Sequence, residues 1–178
     1  MPALLPGRPL CLQKGRSSVT AEQEQGEILR YRAARAAGRS TILFVCTGNA
    51  VRSQIAEGLV NHLHGDTWAA FSAGTMPMEV QKDVIRVMKE INIDLSAHWA
   101  KHVDLFADCT FDSVVILCSD AGTRCPDFPY AGRKDQMNFD DPLSPELLAG
   151  GICFSYRSRI RSLRDEIRKV LDRYLKDG

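Results

Sequence analysis

The sequence lacks any apolar run long enough to span a bilayer, any internal repeat and any excess of one charge, its formal net charge being +1. The first absence excludes a membrane-spanning helix. The third argues against a general nucleic-acid or membrane-surface binder, while leaving room for a local basic site that takes a small anion. Pro2, Pro6 and Pro9 interrupt the apolar residues of the first segment, so it does not read as a secretory signal and a cytosolic (cytoplasmic) protein is expected. The six cysteines, at 11, 46, 109, 118, 125 and 153, form no paired framework. In a reducing compartment such thiols serve as nucleophiles, redox groups or small buried residues.

Periodicity gives the architecture. Residues 1–18, rich in proline, glycine and basic residues, read as a disordered tail. Thr20 and Gln23 form a capping-box pattern ahead of a helix over residues 21–37, which Gly38 ends. Its apolar face of Ile28, Leu29 and Tyr31 is thin and predicts a solvated or loosely docked helix. Beyond residue 40 short apolar runs alternate with helical patterns: strands at 41–45, 68–72, 113–117 and 136–139, and helices at 53–64, 79–90 and 154–175. Ala73-Gly74-Thr75 reads as a turn, and Leu95-Ser96 with 103–106 suggests a short helix. The expectation is an α/β fold, a four-stranded parallel sheet flanked by helices, with residues 1–40 as an N-terminal helical extension of a domain over 41–178. Ligands of such sheets sit outside the carboxyl ends of the strands, so Cys46, Ser72, Cys118 and the pair Asp140 and Asp141 should share one rim.

On that rim the stretch Cys46-Thr47-Gly48-Asn49-Ala50-Val51-Arg52-Ser53 joins a strand to a helix by a tight loop. Backbone N–H groups that point inward at a helix N-terminus attract an oxyanion before any side chain contributes. Arg52 adds a planar fork for two oxyanion oxygens, and the positive field favours the Cys46 thiolate. Cys118 with Arg124 and Cys153 with Arg159 repeat the spacing. The first is followed by Cys125-Pro126 rather than a helix, and the second has no glycine to fold a loop round a ligand.

Three features together, the Cys46–Ser53 cradle, the pair Cys118 and Cys125, and Asp140-Asp141-Pro142, resemble the thioredoxin-coupled arsenate reductases, which share their fold with low-molecular-weight protein tyrosine phosphatases. The resemblance covers about residues 41–172, including Leu43-Phe44-Val45-Cys46-Thr47-Gly48-Asn49, Arg52-Ser53-Gln54-Ile55-Ala56-Glu57-Gly58, Ser72-Ala73-Gly74 and Val115-Ile116-Leu117-Cys118. It implies an oxidoreductase that turns arsenate into arsenite through Cys46, Cys118 and Cys125, with thioredoxin restoring the thiols and no cofactor. It also implies Asp141 as general acid, Arg52 and the N–H groups of residues 47–52 (Thr47, Gly48, Asn49, Ala50, Val51) as oxyanion binders, and Ser53 as a donor to the thiolate. Asn49 resembles the residue that keeps the cradle's shape, with Ser72 and Glu57 as buttresses.

The cradle by itself does not choose between phosphatase and reductase, because phosphate and arsenate are near-isosteric and both reactions begin with thiolate attack. A phosphatase, or a non-enzymatic redox or oxyanion sensor, therefore remains an alternative. Three departures from the family pattern stand out. Val51 replaces a second cradle cysteine, Leu143-Ser144-Pro145 replaces the aromatic residues that hold a phosphotyrosine ring, and Lys101 replaces an aspartate near a potassium ion bound by some members. A lysine ammonium can stand in for that ion, so no potassium dependence is expected. Cys109, Cys118 and Cys125 lack the second closely spaced ligand pair of a zinc site, and His62, His64, His98 and His102 read as surface or helix-end residues.

Overall fold

A computed structural model describes residues 20–119, 132–142, 144 and 155–176. The proposed tail, Cys11, Cys125, Leu143, Pro145 and Cys153 lie outside the described residues. The chain runs α1 (Ala21–Ala36), β1 (Ser40–Cys46), α2 (Arg52–Leu63), β2 (Trp68–Gly74), α3 (Lys82–Lys89), a 3₁₀ turn (Val103–Phe106), β3 (Ser113–Ile116), β4 (Arg133–Gln136) and α4 (Tyr156–Tyr174). The strands form one parallel sheet in the order β2-β1-β3-β4. β1 is central and buried on both faces, which is why it reads as the unbroken apolar run Ile42-Leu43-Phe44-Val45 rather than an alternation. α2 is buried from Arg52 through Val60, packed against β2 and α4.

Four expectations need correction. The last strand lies at 133–136 rather than 136–139, because β4 is an edge strand with mostly exposed polar side chains, Arg133, Lys134, Asp135 and Gln136, and so carries no apolar signal. Ala73 and Gly74 continue β2 instead of turning, since Gly74 pairs in register with Cys46 and donates its N–H to the Lys101 carbonyl at 2.8 Å. The segment expected to start a helix at Glu79 is held extended as far as Gln81 by bonds to the cradle. Leu95-Ser96 is a turn in which Asp94 accepts from the Ser96 N–H at 2.8 Å, not a helix.

The N-terminal helix departs from expectation in its docking. Its capping box is present, with Thr20 and Gln23 bonded to each other's backbone N–H, and Gly38 leaves it at φ 72°. Leu29, read as part of its apolar face, is exposed. The helix docks through Ile28, Tyr31 and the fully buried Ala34, with Arg30 beside them. Tyr31 enters a ring cluster with Phe71 and Phe111 at centroid distances of 5.8 and 5.1 Å, and its hydroxyl meets the Thr110 carbonyl at 2.5 Å. Arg30 lies over the Phe71 ring with its guanidinium 4.0 Å from the centroid.

Candidate active site

β1 ends at Cys46, and the next turn of regular structure is the first turn of α2. Between them the loop's carbonyls are drawn outward: Thr75, Met76, Met78 and Gln81 donate their N–H groups to the carbonyls of Cys46, Thr47, Gly48 and Ala50 at 3.2, 2.8, 2.8 and 3.1 Å. With its carbonyls taken up on the outside, the loop turns N–H groups toward its centre, where the Asn49 N–H already meets Cys46 Sγ at 3.2 Å. The N-terminus of α2 adds its partial positive charge there.

The residue that lets this loop close is Asn49 rather than Gly48. Asn49 has φ 46°, the left-handed region that asparagine tolerates better than most side chains. Its side chain is fully buried and saturated: Nδ2 donates to Ser53 Oγ at 2.8 Å and Ser72 Oγ at 2.9 Å, and Oδ1 accepts from the Lys101 N–H at 2.7 Å. Gly74 supplies the close approach on the other side, where an added Cβ would stand 2.7 Å from the Thr47 carbonyl oxygen and 2.8 Å from the Asn49 nitrogen.

Cys46 is 2% exposed, with Sγ 3.0 Å from Ser53 Oγ. Arg52 reaches across the mouth, Nη1 donating to the Phe139 carbonyl at 3.2 Å and Nη2 to Asp141 Oδ2 at 3.2 Å. Cys118 is buried just past β3, and its Sγ stands 3.4 Å from Thr47 Oγ1. The structure thus brings together Cys46, Thr47, Asn49, Arg52, Ser53, Cys118 and Asp141, whereas Asp140 points to solvent. Ser72 and Glu57 lie beneath the loop.

Under the cradle is a buried charge cluster. Glu57 Oε2 accepts from Ser72 Oγ at 2.5 Å and from Lys101 Nζ at 3.2 Å, while Oε1 accepts from Arg30 Nη2 at 2.7 Å. Burial alone pushes this carboxyl up, but the positive charges of Lys101 and Arg30 outweigh it and hold Glu57 down at about 2. Asn49, Glu57 and Ser72, the residues associated with potassium, are therefore bonded to one another and to an ammonium, and this arrangement does not fit a potassium ion. Among the described residues no group of three His, Cys, Asp or Glu side chains could hold a metal.

Sequence reasoning missed two residues here. Gln54 is fully buried and its Nε2 bonds the Asn49 carbonyl and side-chain oxygen at 3.0 and 3.1 Å and the Trp99 carbonyl at 3.0 Å. Its Oε1 meets His98 Nδ1 at 2.8 Å, and burial first of all pushes that imidazole below its ordinary value. A glutamine beside Arg52 and Ser53 in the first turn of α2 was the available signal. Arg30 was the other, and nothing in its local pattern pointed to Glu57. His64 meets Asp172 of α4 at 3.1 Å, and His102 caps the 3₁₀ turn by accepting from the Asp104 N–H.

Residues 41–146 match the model of the low molecular weight phosphotyrosine protein phosphatase family. An arsenate reductase of Staphylococcus aureus is 37% identical over 136 residues, covering 76% of this chain and 96% of that protein. A solved structure described as an arsenate reductase in the oxidized state aligns with a TM-score of 0.61 at 25% identity, over 75% of this chain and 95% of the other. The thioredoxin-dependent arsenate reductase of Corynebacterium glutamicum shares the fold, with a TM-score of 0.59 at 24% identity over 88% of this chain and 75% of its own.

Proposed function

The chain belongs to the low molecular weight phosphotyrosine protein phosphatase family, among the arsenate reductases that share its fold, and on that premise we propose that it reduces arsenate to arsenite. The observation that carries the choice is Cys118. A reductase needs a second thiol beside the nucleophile, and Cys118 lies in the wall of the cradle, against Thr47 at 3.4 Å, where a phosphatase has no use for it.

The reaction divides into two-electron and zero-electron steps. Arsenate binds the N–H groups of residues 47–52 and the guanidinium of Arg52, which exchanges its present partners for oxyanion oxygens. The Cys46 thiolate attacks arsenic in line with a departing oxygen, which leaves as water after taking a proton from Asp141. Arsenic is still pentavalent. The Cys118 thiolate then attacks Cys46 Sγ; the sulfur–arsenic bond breaks, its electron pair stays on arsenic, and arsenite leaves a Cys46–Cys118 disulfide. Cys125 attacks Cys118, frees Cys46 and forms the Cys118–Cys125 disulfide, which thioredoxin, the reductant named for the C. glutamicum relative, reduces.

The test is arsenate-dependent NADPH oxidation in the presence of thioredoxin and thioredoxin reductase, set beside hydrolysis of p-nitrophenyl phosphate. Arsenate turnover well above the phosphatase rate supports the reading. A protein that hydrolyses the ester and leaves arsenate untouched is a phosphatase.

A further inference from the structure

Helix α1 lies outside the segment matched by the family model, yet one of its side chains reaches the catalytic loop's support. Arg30 joins three elements: Nε and Nη2 donate to Glu27 on α1 at 3.1 and 2.6 Å, Nη1 to the Ala70 carbonyl on β2 at 3.1 Å, and Nη2 to Glu57 on α2 at 2.7 Å. Glu57 is the foot of a chain of side-chain hydrogen bonds that ends on the thiol.

The direction of that chain follows from valence. An ionised carboxylate only accepts, so Ser72 must donate its single hydroxyl proton to Glu57. Ser72 Oγ is then free to accept from its other neighbour, the amide nitrogen of Asn49, whose oxygen is held on the far side by the Lys101 N–H and Gln54 Nε2. The same nitrogen donates to Ser53 Oγ, whose own proton is left for Cys46 Sγ, 3.0 Å away. A neutral Glu57 could donate to Ser72, whose own proton would then face the Asn49 amide nitrogen, a donor held in place because the Lys101 N–H and Gln54 Nε2 bond Oδ1, and the Ser72–Asn49 bond would be lost.

We propose that Arg30 is a positioning residue for the catalytic thiol: it supplies positive charge that anchors Glu57, and through Glu57, which takes the Ser72 proton, it keeps the chain Glu57–Ser72–Asn49–Ser53–Cys46 intact. The N-terminal helix is then a working part of the site, delivering a charge to the back of the cradle. Lys101 shares the task from the opposite side, on the other carboxylate oxygen. The two cations meet different oxygens, so neither satisfies the carboxylate alone. This inference rests on Cys46 as the nucleophile of the proposed reaction but not on arsenate being the substrate.

The test uses Arg30→Met, which keeps an aliphatic stem over Phe71, Arg30→Lys, which restores a charge, and Ser72→Ala, which cuts the chain without touching α1. Arg35→Ala, which removes an exposed pair with Asp112, controls for loosening of the helix. Two quantities are read at neutral pH on the full chain: the rate at which iodoacetamide labels Cys46, located by peptide mass spectrometry, and the dissociation constant of inorganic phosphate by calorimetry. Loss of one charge-assisted hydrogen bond in the chain should change both by about tenfold in Arg30→Met and Ser72→Ala. Arg30→Lys should recover most of that loss, and Arg35→Ala should match the wild type. Wild-type labelling and phosphate affinity in folded Arg30→Met, or in Ser72→Ala if the former does not fold, would overturn the proposal. So would an equal loss in Arg35→Ala. A wild type that binds phosphate and shows these effects without reducing arsenate refutes the reductase reading alone.

Discussion

Arg52 and Asp141 face each other across the mouth of the cradle, Nη2 to Oδ2 at 3.2 Å, so the group that would bind the oxyanion and the acid that would protonate it are already in contact. Because Asp141 brings negative charge to an anion site, the two residues should separate in binding and in turnover. Arg52→Lys loses the bidentate fork and should weaken phosphate binding and lower kcat/KM for arsenate by about 100-fold. Asp141→Asn should bind phosphate at least as tightly as the wild type while kcat falls by about 10²- to 10⁴-fold. Calorimetry with phosphate beside steady-state kinetics checks both, and a loss of phosphate affinity in Asp141→Asn would count against its role as an acid.

Gly74→Ala tests whether the cradle's shape depends on the end of β2. The new Cβ would crowd the Thr47 carbonyl and the Asn49 nitrogen, both backbone atoms that cannot swing away. Stability should fall by about 1–3 kcal/mol, and phosphate affinity should fall with it. Thermal melting with and without phosphate reads both effects. A variant that keeps the wild-type phosphate-induced rise in Tm would show that the loop has other means of closing.

The low value of Glu57 sets a pH dependence of stability. Its folded value of about 2 lies below the ordinary 4.5, so its ionised form stabilises the fold above the ordinary value. That contribution is lost as pH falls from about 4.5 through about 2, where the carboxyl takes up its proton in both states. Glu57→Gln should therefore melt well below the wild type at pH 7, and the gap should narrow as pH is lowered toward 3. A gap that is constant over this range would mean that the charge of Glu57 does not contribute.

Replacing KCl by NaCl at fixed ionic strength should leave both activity and Tm unchanged. The Lys101 ammonium, 3.2 Å from Glu57 Oε2, already brings a cation to Asn49, Glu57 and Ser72. A large rise specific to potassium would contradict this.

The sheet, its order of strands and helices, and the cradle were legible because they rest on local patterns: apolar runs for buried strands, a helical period for α2 and α4, and a loop between strand and helix. Cys46 and Cys118 were placed on one rim by their position at strand ends, whereas Asn49 and Asp141 were singled out through the family resemblance, Asp141 lying five residues beyond the end of β4. What escaped depends on contacts distant in sequence. β4 is polar because it is an edge strand, so no apolar run marks it. The stretch from Thr75 to Gln81 stays out of helix because it bonds the cradle's carbonyls. The docking of α1 depends on Tyr31 and Arg30 finding Thr110 and Glu57, partners 79 and 27 residues away.

The relay itself is tested most directly by the thioredoxin-coupled assay of arsenate-dependent NADPH oxidation on Cys118→Ser and Cys125→Ser. Both variants should lose multiple-turnover arsenate reduction while keeping the wild-type rate with p-nitrophenyl phosphate, since neither thiol takes part in the first attack by Cys46. Full arsenate turnover in either variant would contradict the three-cysteine relay.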